Sequence, residues 1–135
     1  MGKYTNLDSD VYSVFGTVGW KAEKIKTHPS NFIAIDTSTE FIRVSIIPSG
    51  NGVNRRSISG VLIIDIFTPS GSGPQRPSAI ADKLDTYLSS KQLIVSSGIV
   101  IQFGNSTLGN TGNDKDNKAL FRVAYTIPFN YFEVL

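Results

Sequence analysis

A lone imidazole, a few scattered carboxylates and one glycine-rich turn are the groups from which this chain could build a reactive site. His28 is the sole histidine among 135 residues. A hydrolytic triad would need a nucleophile and an acid to converge on it, and a zinc site would need further donors, but the sequence shows no metal-ligand spacing. His28, next to Pro29, is therefore read as a polar turn residue. Asp65 could join Asp36 or Glu40 in an acid–base pair, although no spacing requires it. Asp82 and Asp85 stand at i and i+3 and are expected to face water, where a paired acid of raised pKa does not arise. Gly71-Ser72-Gly73-Pro74 sits between an expected strand and an expected helix, the position of an anion cradle. It lacks the Gly-Lys-Ser/Thr of a nucleotide loop and the third glycine of a dinucleotide loop, and Pro74 and Pro77 more simply start a helix. The chain has no cysteine, which removes thiolate catalysis, thiolate metal sites and disulfides. No catalytic residue, metal or cofactor is assigned, and the chain is expected not to be an enzyme.

The charges point away from nucleic acid as well. Lys and Arg number 13 against 11 Asp and Glu, and no basic run is longer than Arg55-Arg56. Lys115 and Lys118 alternate with Asp114 and Asp116, where a nucleic-acid face would be continuous and carry stacking aromatics. Phe129, Tyr131 and Phe132 crowd the C-terminal stretch after Pro128. They either close over the helices or meet a partner protein, since aromatics are enriched at interface cores. No stretch approaches the roughly 20 apolar residues that span a bilayer, and no secretory signal is read at the N-terminus, so neither membrane insertion nor secretion is expected.

At this length, with 40% hydrophobic and 18% charged residues, one domain over 1–135 is expected. Leu7, Val11, Val14, Phe15, Val18, Ala22 and Ile25 follow helical spacing, with a break or kink expected around Gly16 to Gly19. Phe32 to Ile35 is a short edge strand or an extended connector. Phe41 to Ile47 is a strand whose Ile42, Val44 and Ile46 face is the better core candidate. A second strand runs from about Arg56 to Phe67, apolar on both faces and so central, with Gly60 a candidate bulge. Gln75 to Ser89 is a helix presenting Ile80, Leu84, Tyr87 and Leu88. Ser90 to Ser97 has room for a short strand at Leu93 to Val95, which is not counted in the sheet; a strand is expected from Gly98 to Gly104 and a last one from Ala119 to Ile127. Mobile loops are expected at about 48–56 and 105–118. The predicted fold is α+β, a mostly antiparallel four-stranded sheet with two helices packed on one face.

Several segments resemble, in order, the tail terminator-like minor tail proteins of long-tailed bacteriophages. They are Gly19-Trp20, Pro29-Ser30-Asn31-Phe32, the run Glu40 to Gly50 (EFIRVSIIPSG), Gly60 to Pro69 with the turn and helix after it, and Phe121 to Phe129. The resemblance covers about residues 15 to 129. It implies a virion protein at the head-proximal end of the tail. Such a protein caps the tail tube as a homohexameric ring, ends tube polymerisation and presents a surface to the head-side connector. The implied partners are thus copies of itself, tail-tube protein and a connector protein. The alternatives are a tail-tube subunit, a head-side adaptor and, less favoured, a small carboxylate-based enzyme. Interface residues are expected at Arg43, Arg55, Arg56, Asn110, Lys115, Phe129, Tyr131 and Phe132. Arg43 shares a strand face with Phe41, Ser45 and Ile47 and needs a carboxylate or carbonyl partner, for which Asp65 is a candidate.

Overall fold

The computed structural model describes residues 3–29, 40–51, 58–69, 71, 75–96, 99–113 and 120–133. Its elements are α1 (Lys3–Phe15), α2 (Val18–Ala22), β1 (Lys26–Pro29), β2 (Phe41–Asn51), β3 (Ile58–Pro69), α3 (Gln75–Leu88), β4 (Gln92–Ser96), β5 (Ile99–Phe103), β6 (Thr107–Asn113) and β7 (Leu120–Glu133).

The α1 helix buries Leu7, Val11, Val14 and Phe15, the stripe that its spacing dictates. The expected break is real. Thr17 accepts a hydrogen bond from the Trp20 backbone N–H at 3.3 Å and caps the five-residue α2, as a side-chain oxygen does at a helix start. Lys24, at φ 58°, turns the chain out of α2 and into β1. Trp20 is buried between Phe15 and Tyr87 in edge-to-face contacts at 5.5 and 5.4 Å, the geometry that ring quadrupoles favour. Its indole N–H reaches Thr27 Oγ1 at 2.9 Å.

The sheet runs β1-β2-β3-β7-β5-β4, and β6 also pairs with β7. Every pairing is antiparallel except β1 with β2. At 14 residues β7 is long enough to serve two neighbours on one side, with Phe129 to Glu133 against β5 and Phe121 to Thr126 against β6. The result is a mixed α+β fold with a curled, half-barrel-like sheet and the three helices on one face. Ile42, Val44, Leu62, Ile64, Ile66, Val123, Tyr125 and Ile127 meet Leu7, Val11, Trp20, Ile80 and Leu84 in one buried cluster.

The expectation of four strands and two helices is therefore corrected to seven and three among the described residues. The helix count rises because the break at Gly16–Thr17 makes α2 a separate helix. The strand count rises at β1, β4 and β6. His28-Pro29 suggested a turn, but an edge strand tolerates a terminal proline, whose missing N–H is not needed there. The Leu93 to Val95 run is a full strand of five residues. Thr107 to Asn113, expected within a mobile loop, has poor strand formers, yet its backbone pairs with β7. Pro48 to Asn51, also placed in a loop, extends β2 through a register shift. Gly60 lies beside that shift, where a Cβ would come within 2.3 Å of Ile47 O, so the strands can approach only over a glycine. Phe32 to Ile35, Gly52 to Ser57 and Asp114 to Ala119 lie outside the described residues.

Candidate protein interface

Alternation divides each central strand between the two faces of the sheet. On the helix-covered face, β7 sends two phenol groups up into the helix layer. Tyr125 donates to Asp85 on α3 and Tyr131 to Asp10 on α1, each at 2.5 Å. Burial first, then the facing carboxylate, pushes both phenols well above their ordinary pKa, so they stay protonated donors. Ser106 also donates to Asp85, at 2.5 Å. Asp85 is exposed, as expected, and it also anchors α3 to β7 and to the link before β6. Tyr12 on α1 donates to Val44 O at 3.1 Å.

The helix layer is laced at its sides by two ion pairs. Arg76 grips Glu40 through two nitrogens at 2.5 and 2.6 Å, and that hydrogen bonding holds the Glu40 carboxyl below its usual range. Lys83 meets Glu23 at 2.9 Å. Glu40 is thus committed to Arg76, and the acid pair considered for Asp65 and Glu40 does not form. Asp36 is outside the described residues.

The other face of the sheet has two dissimilar ends. At the first, one register row runs His28–Arg43–Asp65–Ala124 and the next runs Lys26–Phe41–Phe67–Arg122. Asp65, 4% exposed, is flanked by both arginines. Arg122 reaches its Oδ1 at 2.9 and 2.8 Å, and Arg43 reaches Oδ2 at 3.5 Å. The expected Arg43–Asp65 pairing is present, and a buried carboxylate needs such partners. Arg43 also lies 5.0 Å over the Phe67 ring, within cation–π reach. Phe67 stacks on Phe41 at 4.7 Å, and the two join Leu120 in a second buried cluster. His28 sits in β1 against the Phe41 ring at 5.8 Å, not in a turn. Burial, and then the charge of Lys26, lower its pKa from 6.5.

At the second end the rows become Ser45–Ile63–Thr126 and Ile47–Val61–Pro128, and beyond them Ser59–Asn130–Gln102. None of these nine is ionisable. All are half-buried or exposed, and Ile47 is 42% exposed. A solvated antiparallel face ordinarily alternates to polar and charged residues, so this surface is unusual in its lack of charge. A shallow groove of about 210 Å³ crosses it beside Gln102, Gly104, Pro128 and Asn130. Gly104 keeps the groove open, because a Cβ there would lie 2.9 Å from Pro128 Cγ.

Of the expected interface residues, Phe132 lies half-buried on this face and Arg43 lies at its charged end. Phe129 and Tyr131 are each 2% exposed and belong to the core beneath the helices. Strand β7 continues six residues beyond Ile127, and the same alternation that buries Tyr125 and Ile127 carries 129 and 131 inward. Asn110 lies on β6 in register with Val123. Arg55, Arg56 and Lys115 lie outside the described residues. Arg122, the second partner of Asp65, was not anticipated, although its strand parity put it on the face away from Phe121.

A solved structure shares this fold, with a TM-score of 0.71 and 15% identity over 95% of this chain and 97% of that one. At that identity the likeness defines the architecture, an α+β chain with helices on one side of a curled sheet, and nothing finer. No protein-family model matches the chain, and no curated protein matches it. No helix among the described residues is long and apolar enough to cross a membrane.

Proposed function

We propose that this chain is a structural subunit of phage tail assembly, a terminator that binds other protein subunits and catalyses nothing. The observation that carries the binding half of this reading is the charge-free end of the open sheet face. Its apolar and hydroxyl side chains would cost little to desolvate against another protein. The ordered resemblance of residues 15 to 129 to tail terminators supplies the role. In this reading the chain forms a homohexameric ring on the tail tube, ends its growth and meets the connector of the head. The segments bearing Arg55, Arg56, Asn110 and Lys115 add contacts at the rim of that ring, with Arg43 and Phe132 at the sheet face.

Electron microscopy of tail tubes assembled with and without the chain tests the role. A terminator caps one end, fixes tube length and shows six-fold order at the cap. Unlimited polymerisation of the chain alone would instead make it a tube subunit. Binding to head connectors without any effect on tubes would make it a head-side adaptor.

A further inference from the structure

Val18 is the most exposed large apolar side chain among the described residues, at 86%. It projects from the start of α2 within Gly16-Thr17-Val18-Gly19, four consecutive exposed residues without a charge. Monomeric proteins expose single apolar residues routinely, so exposure alone means little. Two further facts give it meaning. The α2 corner belongs to the helix layer, whereas the charge-free sheet face with its groove lies on the opposite side of the sheet. A knob on one side and a receptive surface on the other can be joined between copies only head to tail. The electrostatics also select the pair. A surface whose described residues carry no ionisable group offers no compensation to a charge brought onto it, which would lose its hydration. Exposed positions of the helix layer at Asp8, Lys21, Lys24, Asp82 and Asp85 are charged, and the α2 corner offers a continuous uncharged run.

We infer that the α2 corner of one copy docks on the open sheet face of the next, with Val18 entering the groove between Gln102 and Pro128. This rests on the ring-forming reading above and specifies which two surfaces meet. The groove would shed several waters, at about 30 Å³ each, when an apolar side chain fills it. A contact of this kind is heterologous, so it closes into a ring when the rotation per copy allows.

The chain has no cysteine, so introduced thiols report contacts without background. Val18→Cys and Gln102→Cys, each made singly and both at exposed positions, are mixed under mild oxidation with and without tail tubes. The inference expects a cross-linked heterodimer to form about tenfold faster than either variant dimerises alone, and faster than Val18→Cys couples to Asp82→Cys. Val18→Asp in an otherwise unchanged chain should keep its fold and lose ring formation by at least about tenfold. Equal coupling of the Val18→Cys variant to the Gln102→Cys and Asp82→Cys variants would overturn the inference, as would normal rings from Val18→Asp. Tube capping in the same samples reports separately on the assembly reading. Six-fold caps without the cross-link between positions 18 and 102 leave the terminator role standing and overturn the choice of surfaces.

Discussion

The two faces of the sheet satisfy their side chains in opposite ways. On the covered face the two phenols carried inward find their partners within the chain, Tyr125 at Asp85 and Tyr131 at Asp10. Helices lie over it, and strands β2, β3 and β7 present an unbroken apolar surface to them. On the open face the Asp65 end is also satisfied internally, by two arginines. Among the described residues the other end has no charge and no helix over it. One side of the sheet therefore encodes folding, and half of the other is the surface proposed to meet a second protein.

Adjacent residues of β3 break that comparison most sharply. Leu62 is fully buried under the helices, and Val61 is half-buried on the open face. Leu62→Ala should cost about 2–5 kcal/mol in denaturant unfolding. Val61→Ala should stay within about 1 kcal/mol of the parent. Equal losses would mean that both faces are core. A smaller loss is expected at the charged end. Asp65→Asn leaves two guanidiniums without their carboxylate and should cost about 1–3 kcal/mol, less than a fully buried pair would, because both arginines are about a third exposed. Arg43→Lys should cost less than Arg122→Lys, since only Arg122 makes two short contacts with Asp65.

The phenols come next. Tyr125→Phe and Tyr131→Phe should each cost about 0.5–1.5 kcal/mol. Hydrogen exchange should quicken in α3 for the first and in α1 for the second, because each hydroxyl ties β7 to one helix. If both variants loosened the same helix, the assignment of separate anchors would fall.

Alternation made much of this architecture readable in advance. The period-two pattern of Phe41 to Ile47 sorted residues correctly between faces, and it placed Arg43 where Asp65 could meet it. Register was not readable, because it depends on which strands become neighbours, and Arg122 was missed for that reason. Composition misled at β6, where Asn and Gly disguise a strand held by backbone pairing with β7. It misled again at Phe129 and Tyr131, where clustered aromatics suggested a surface although the strand's own parity pointed inward. Asp85 is exposed as its helix face suggested, but a helical wheel says nothing of a tyrosine reaching it from the sheet.

The smallest expected effect is on pH dependence. The folded state lowers the pKa of His28 below 6.5 through burial and Lys26, so the unfolded chain takes up the proton first as pH falls. The stability from this group is fully present above 6.5 and is lost as pH drops through the lowered folded value. His28→Gln should flatten the fall in stability between about pH 7 and pH 5. A steeper fall would reverse the sign assigned here.

The central claim is that the charge-free sheet face is where another subunit binds, and placing a charge at its middle tests that most directly. Val61→Lys should leave circular dichroism and unfolding midpoint close to the parent while abolishing six-fold caps on tail tubes in symmetry-resolved electron microscopy. A folded Val61→Lys chain that caps tubes with the parent's order and occupancy would contradict the account.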